Sequence, residues 1–215
     1  MLLSQWLSFV CMIIVVSVAE GYETVDDAAI LARMLVDSSE SVGTMATIYP
    51  ETHPDLAGIP FSLQEYYASC HGNGSLTLLL MPISRHGRNI LSSESHEASI
   101  SITTARPDAS RARVALMGSV TVYKDIKNVP NVGSISLCYL ARHPDARRWL
   151  PGPREPHIAY WAIFDPHTVY YVGGFGSEHY IGYIPLGMYQ SPDSSHANDR
   201  PNLVEQYATW SSCFS

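Results

Sequence analysis

The sequence predicts a mainly β protein of the α+β type, an antiparallel barrel with helical additions. Three observations carry this. About six or seven short stretches alternate apolar and polar residues or run continuously apolar, with turn signals roughly every ten residues. Only two or three stretches keep helical spacing, and they do not alternate with strands as βαβ units would. The β-branched and aromatic run Val169-Tyr170-Tyr171-Val172 passes straight into Gly173-Gly174-Phe175-Gly176. A glycine cluster at a strand end marks a corner, a bulge or the close approach of another segment. A barrel corner is the simplest of these, since the spacing is not the Gly-x-Gly-x-x-Gly of a dinucleotide fold.

Taken in order, residues 1–19 read as a secretory signal peptide. The uncharged run from Leu7 to Val18 is about a dozen residues, shorter than the roughly twenty of a spanning helix. Ser17-Val18-Ala19 supplies a small-residue cleavage site. Retention as an uncleaved anchor is the alternative; once cleaved, the chain has no further apolar segment to insert stably in a membrane. The main domain is expected over residues 24–190. It opens with an amphipathic helix to about Asp37, in which Thr24 caps and Ala28, Leu31, Ala32 and Leu35 form the apolar stripe.

Residues 42–48 alternate small and apolar residues with threonines, as a strand does. A turn-rich loop follows, then a second strand over 60–70 and a buried, continuously apolar third over 76–81. A short helical turn over 88–92 precedes the period-two strand 97–103. The longer strand 111–124 alternates around Gly118, a plausible bulge point. Ile135, Leu137, Cys138, Leu140 and Ala141 sit on a helix that ends before Pro144. Residues 158–164 and 168–172 read as two strands around an Asp165-Pro166-His167 turn. Residues 191–215 are a polar linker and a short tail, where Leu203, Val204, Tyr207 and Trp210 recur at helical spacing.

Composition narrows function. Lysine occurs only at Lys124 and Lys127, the net charge is −7 and no basic stripe exists, so a nucleic-acid partner is not expected. Nine histidines are present, but none has the spacing of a zinc site. Cys70 and His71 are neighbours, and adjacent strand residues point to opposite faces, so they do not form a catalytic pair. Signal cleavage would leave Cys70, Cys138 and Cys213, an odd set in which at least one thiol stays free or pairs between chains. Three cysteines do not make a disulfide scaffold, so stability is expected from the hydrophobic core. Asn73-Gly74-Ser75 is the single N-glycosylation sequon and lies in a polar turn. Ser84-Arg85-His86-Gly87-Arg88-Asn89 follows a buried strand and opens a helical turn, a place where backbone N–H groups and cations can hold an anion such as phosphate. The plainer reading is a polar loop with Ser84 as helix cap.

The ordered segments resemble the secreted CREG branch of the FMN-binding split-barrel superfamily, whose members include pyridoxamine 5'-phosphate oxidase-like proteins. The resemblance runs from Ala28 to Tyr189. It rests on Gly43-Thr44-Met45-Ala46-Thr47, Gly58-Ile59-Pro60-Phe61, and Met81-Pro82-Ile83-Ser84 leading to Asn89. It continues through Leu116-Met117-Gly118-Ser119-Val120, Arg142-His143-Pro144 and Val172-Gly173-Gly174-Phe175-Gly176. His86-x-x-Asn89 and the Gly-Gly-Phe-Gly run are also similar to the haem-utilisation branch. The resemblance implies a six-stranded antiparallel Greek-key split barrel with flanking helices, dimerising across the face where flavin enzymes hold FMN. It implies Ser84, Arg85, His86, Arg88 and Asn89 as the candidate FMN-phosphate residues. It further implies a secreted or endolysosomal glycoprotein, homodimeric and non-catalytic, that works through a receptor or other protein partner. Two alternatives follow from the same resemblance: an FMN-dependent oxidoreductase, and a haem-binding or haem-degrading barrel with a histidine such as His86 as ligand.

Overall fold

The computed structural model describes residues 22–38, 41–152 and 158–192. The expected signal peptide and the helical pattern in the tail lie outside the described residues. Seven strands run β1 Val42–Ile48, β2 Pro60–Ala68, β3 Leu76–Leu80, β4 Glu97–Thr103, β5 Arg113–Tyr123, β6 Tyr160–Val172 and β7 Ile181–Ile184. They pair antiparallel in the order β3-β2-β1-β4-β5-β6-β7, and β3 also pairs with β6. That last pairing closes the first six strands into a barrel. β1, β2 and β3 form a meander, and β4 returns to pair with β1 on its other side, which is a Greek key. The fold is the six-stranded split barrel that the sequence led us to expect, with a seventh strand on its margin.

The helices are α1 Val25–Ser38, α2 Arg85–Ser92, α3 Val132–Arg142 and α4 Leu186–Gln190, with 3-10 turns at Ile126–Asn128 and Pro144–Arg148. Thr24 caps α1 reciprocally: its hydroxyl accepts from Asp27 N–H, and its own N–H donates to Asp27 Oδ2. The barrel interior holds Met45, Tyr67, Leu78, Ile100, Leu116 and Phe164, with Leu31 and Leu35 of α1 packed into the same cluster. A second cluster lies where α3 packs, built from Ala68, Leu79, Ile135, Tyr139 and Trp161. The Cys70–Cys138 disulfide fastens α3 beside it. The expectation that the core alone stabilises the chain is therefore corrected: a covalent link across 68 residues adds to it.

Residues 158–172 do not form two strands around a turn. β6 is one strand, and Pro166 sits opposite Gly118 where the β5–β6 register shifts. A bulge tolerates a residue without an N–H, so the proline interrupts the ladder locally without ending the strand. The short turn expected over 88–92 is the full helix α2. β7 and α4 went unforeseen, since each is only four or five residues long. The glycine cluster ends β6 as a corner. The Glu23 carboxylate would lie 2.6 Å from a Cβ on Gly173, and Gly176 takes a φ of +88°.

Candidate functional site

Ser84 ends the chain's exit from β3 and caps α2. Its hydroxyl accepts from Gly87 N–H at 2.9 Å and donates to the Met81 carbonyl at 2.8 Å. From that cap the residues singled out in the sequence diverge. His86 and Asn89, 2% and 1% exposed, turn inward onto Thr47 of β1. Asn89 Nδ2 donates to Thr47 Oγ1 at 3.0 Å, and Thr47 Oγ1 lies 3.0 Å from His86 Nδ1. With Asn89 donating to it, the threonine hydroxyl can donate to Nδ1 in the tautomer that carries its proton on Nε2, an atom buried with no hydrogen-bond partner among the described residues. Burial pushes His86 below the usual histidine range, offset in part by the Leu63 backbone. Its outer face packs against Phe61 at 4.9 Å. Arg85 lies over the Tyr49 ring at 4.9 Å, and Arg88 is exposed. Two of these five residues join α2 to β1.

The chemistry-bearing concavity lies alongside, in the split of the barrel. β2 pairs with β3 only at Tyr67 and Ala68. The next steps of that register would set Tyr66 opposite Leu79 and Glu65 opposite Leu80, but the strands part there. The gap is a cavity of about 400 Å³ lined by Glu65, Tyr66, Leu79, Met81, Ser84, Tyr139, His143, Asp145, Ala146 and Trp149. Side chains replace the missing strand. Tyr66 N–H donates to Glu65 Oε1 at 3.2 Å, and Tyr139 OH donates to the Tyr66 carbonyl at 3.4 Å. His143 Nε2 donates to the Tyr67 carbonyl at 2.8 Å, which fixes its proton on that nitrogen. Burial raises the Glu65 carboxyl to about 7 and also raises the Tyr139 phenol. Among the described residues, no lysine or arginine lines this cavity. Only Ser84 of the residues expected for a phosphate reaches it. The sequence pattern does not reveal the site, because alternation within β2 carries no sign that β3 departs from it.

A family model described as the CREG β-barrel matches residues 23–191, most of the chain. The chain belongs to the CREG β-barrel family. Among solved structures, a heme binding protein from Mycobacterium smegmatis is similar at 21% identity and a TM-score of 0.60, over 78% of this chain and 60% of that one. A protein of unknown function from Agrobacterium tumefaciens is similar at 17% identity and a TM-score of 0.54, over 72% of this chain and 60% of that one. The CREG-type chain thus aligns with about three fifths of the length of each. At such identities the likeness is one of fold. Curated proteins give no significant match.

Proposed function

We propose that this CREG-type chain is a secreted or endolysosomal glycoprotein that acts as a homodimer through protein contacts, without redox chemistry of its own. The observation that carries this reading is β2. Over residues 60–66 it is paired on one edge with β1, and it buries neither face fully. It nonetheless carries Leu63 and Tyr66, which are 60% and 53% exposed, and Ile48 and Ile59 lie open beside it. A long apolar strand with a free edge invites association unless it is covered. A second copy of the chain is the cover that the family's expected dimer supplies.

Export is supported by the leader-like residues 1–19 and by the Cys70–Cys138 disulfide, which persists in oxidising compartments. Asn73 is exposed in its turn, as glycan attachment requires, and its Oδ1 accepts from Ser75 N–H at 3.2 Å. The flavin alternative gains little from the geometry. His86 and Asn89 turn inward to Thr47 while Arg88 is exposed, and the neighbouring cavity presents carboxylates to any phosphate. The haem alternative meets a similar obstacle, because His86 is enclosed between Thr47 and Phe61. Static light scattering and an absorption spectrum of the purified protein, alone and after excess FMN, test the proposal together. A colourless dimer that stays colourless is expected. A monomer sinks the dimer reading, and retained flavin or haem bands sink the non-redox reading.

A further inference from the structure

We infer that the cavity in the split between β2 and β3 binds a small organic ammonium ligand, an amine or quaternary ammonium held by aromatic faces and carboxylates. The volume of about 400 Å³ falls in the range of small-molecule sites. Three lining residues, Tyr66, Tyr139 and Trp149, offer aromatic surface, and the face of an aromatic ring attracts a desolvated cation. Glu65 and Asp145 supply formal negative charge, and among the described residues no basic side chain answers it within the lining. An anionic ligand would have to shed water beside two carboxylates with no cation of the described lining to balance it. A cation would be balanced.

The site is also built rather than incidental. Tyr139 and His143 are 3% and 8% exposed and are held by hydrogen bonds to consecutive carbonyls of β2. The disulfide at Cys138 holds the helix that carries Tyr139. The walls therefore stand open without a third strand to fill the split, which is the preorganisation a small ligand needs.

Binding is coupled to protons. The groups that face Glu65 are Tyr66 on its own strand, Tyr139 and His143 from α3 and its end, Asp145 from the following 3-10 turn, and Ser84 before α2. Burial already disfavours the ionised Glu65, whose carboxyl titrates at about 7. A bound cation favours that ionised form, so affinity is full above this range and declines as pH falls through it.

The test is calorimetric titration with phenyltrimethylammonium, its neutral isostere tert-butylbenzene and the anion phenyl phosphate. Saturable binding of the ammonium is expected, at least about tenfold tighter than either analogue. Glu65→Gln and, independently, Trp149→Leu should each weaken it about tenfold. Lowering the pH from about 8 to about 5 should weaken it similarly in the unaltered protein and much less in Glu65→Gln. Equal binding of tert-butylbenzene would reduce the site to an apolar hole and overturn the proposal. Preferential binding of phenyl phosphate, or no saturation by the ammonium in the millimolar range, would overturn it too.

Discussion

A methyl group on Gly118 would sit 2.1 Å from the Asp165 carbonyl oxygen, inside the contact distance of any two atoms. The bulge between β5 and β6 closes on this glycine, and neither backbone can retreat because both belong to the barrel wall. Gly118→Ala should therefore cost about 2 kcal/mol or more in denaturant unfolding, while a substitution at the open Gly72 should cost little. The sequence exposes this residue well, since one glycine in an otherwise regular alternation has few other meanings. Glu65 is the opposite case. Its neighbours in sequence mark it as a polar strand residue, but its environment is set by the parting of β2 from β3. Its carboxyl is raised from an ordinary value near 4.5 to about 7. The stability it contributes is thus present below the unfolded value and lost as pH rises through the folded one. Glu65→Gln should leave stability at acidic pH unchanged and raise it above neutrality, by up to about 3 kcal/mol. Unfolding midpoints for both proteins across that window check this. A parallel pair of curves would mean that Glu65 is not the group responsible.

Between elements, polar contacts decide what is joined to what. α2 is fixed to β1 through Thr47, whose single hydroxyl serves both Asn89 and His86. Thr47→Val keeps the shape and removes the partner, leaving Asn89 Nδ2 and His86 Nδ1 buried and unsatisfied. A loss of about 2–4 kcal/mol is expected, with most of it recovered by Thr47→Ser, and chemical denaturation of the two variants makes the comparison. α3 is fixed differently, by the disulfide to Cys70. Most elements are legible from periodicity: β1 and β4 have the residues expected, because alternation survives wherever one face of a strand is buried. Elements fail to be legible where a signal has two causes. Asp165-Pro166-His167 has the composition of a turn, yet it belongs to a bulge within β6. The Ser84–Asn89 segment has the composition of an anion turn, yet two of its side chains turn inward, each meeting Thr47 with one polar atom and keeping a second, His86 Nε2 and Asn89 Oδ1, buried with no hydrogen-bond partner among the described residues. No local pattern distinguishes these cases, because the deciding partner is distant in sequence.

For the molecule as a whole, the barrel is closed by β3 pairing with β6, and β2 has no second strand beside it over residues 60–66. One end of that opening is the cavity walled by α3. The remainder is residues 60–66, with Leu63 near the middle, 60% exposed on the face it shares with Met45 and Tyr67, where the barrel opens. Closure elsewhere in the sheet is complete enough that this is the natural place for a second chain to add apolar contact. An interface whose centre is desolvated is sensitive to a charge placed there, because the charge must be buried on association and finds no partner. Leu63→Asp should accordingly leave the fold intact, since a solvated aspartate on an exposed strand position costs about 0.5 kcal/mol. If the proposed dimer forms through this strand, the variant should shift it to monomer at micromolar concentration, read by light scattering alongside an unchanged far-ultraviolet circular dichroism spectrum. Leu137→Asp serves as the control: equally apolar and 73% exposed, it lies at a solvent-facing position of α3 rather than on β2, and should leave the proposed dimer in place. If Leu137→Asp dissociates the dimer and Leu63→Asp does not, the chains meet through α3, and the open edge of β2 must be covered by something else.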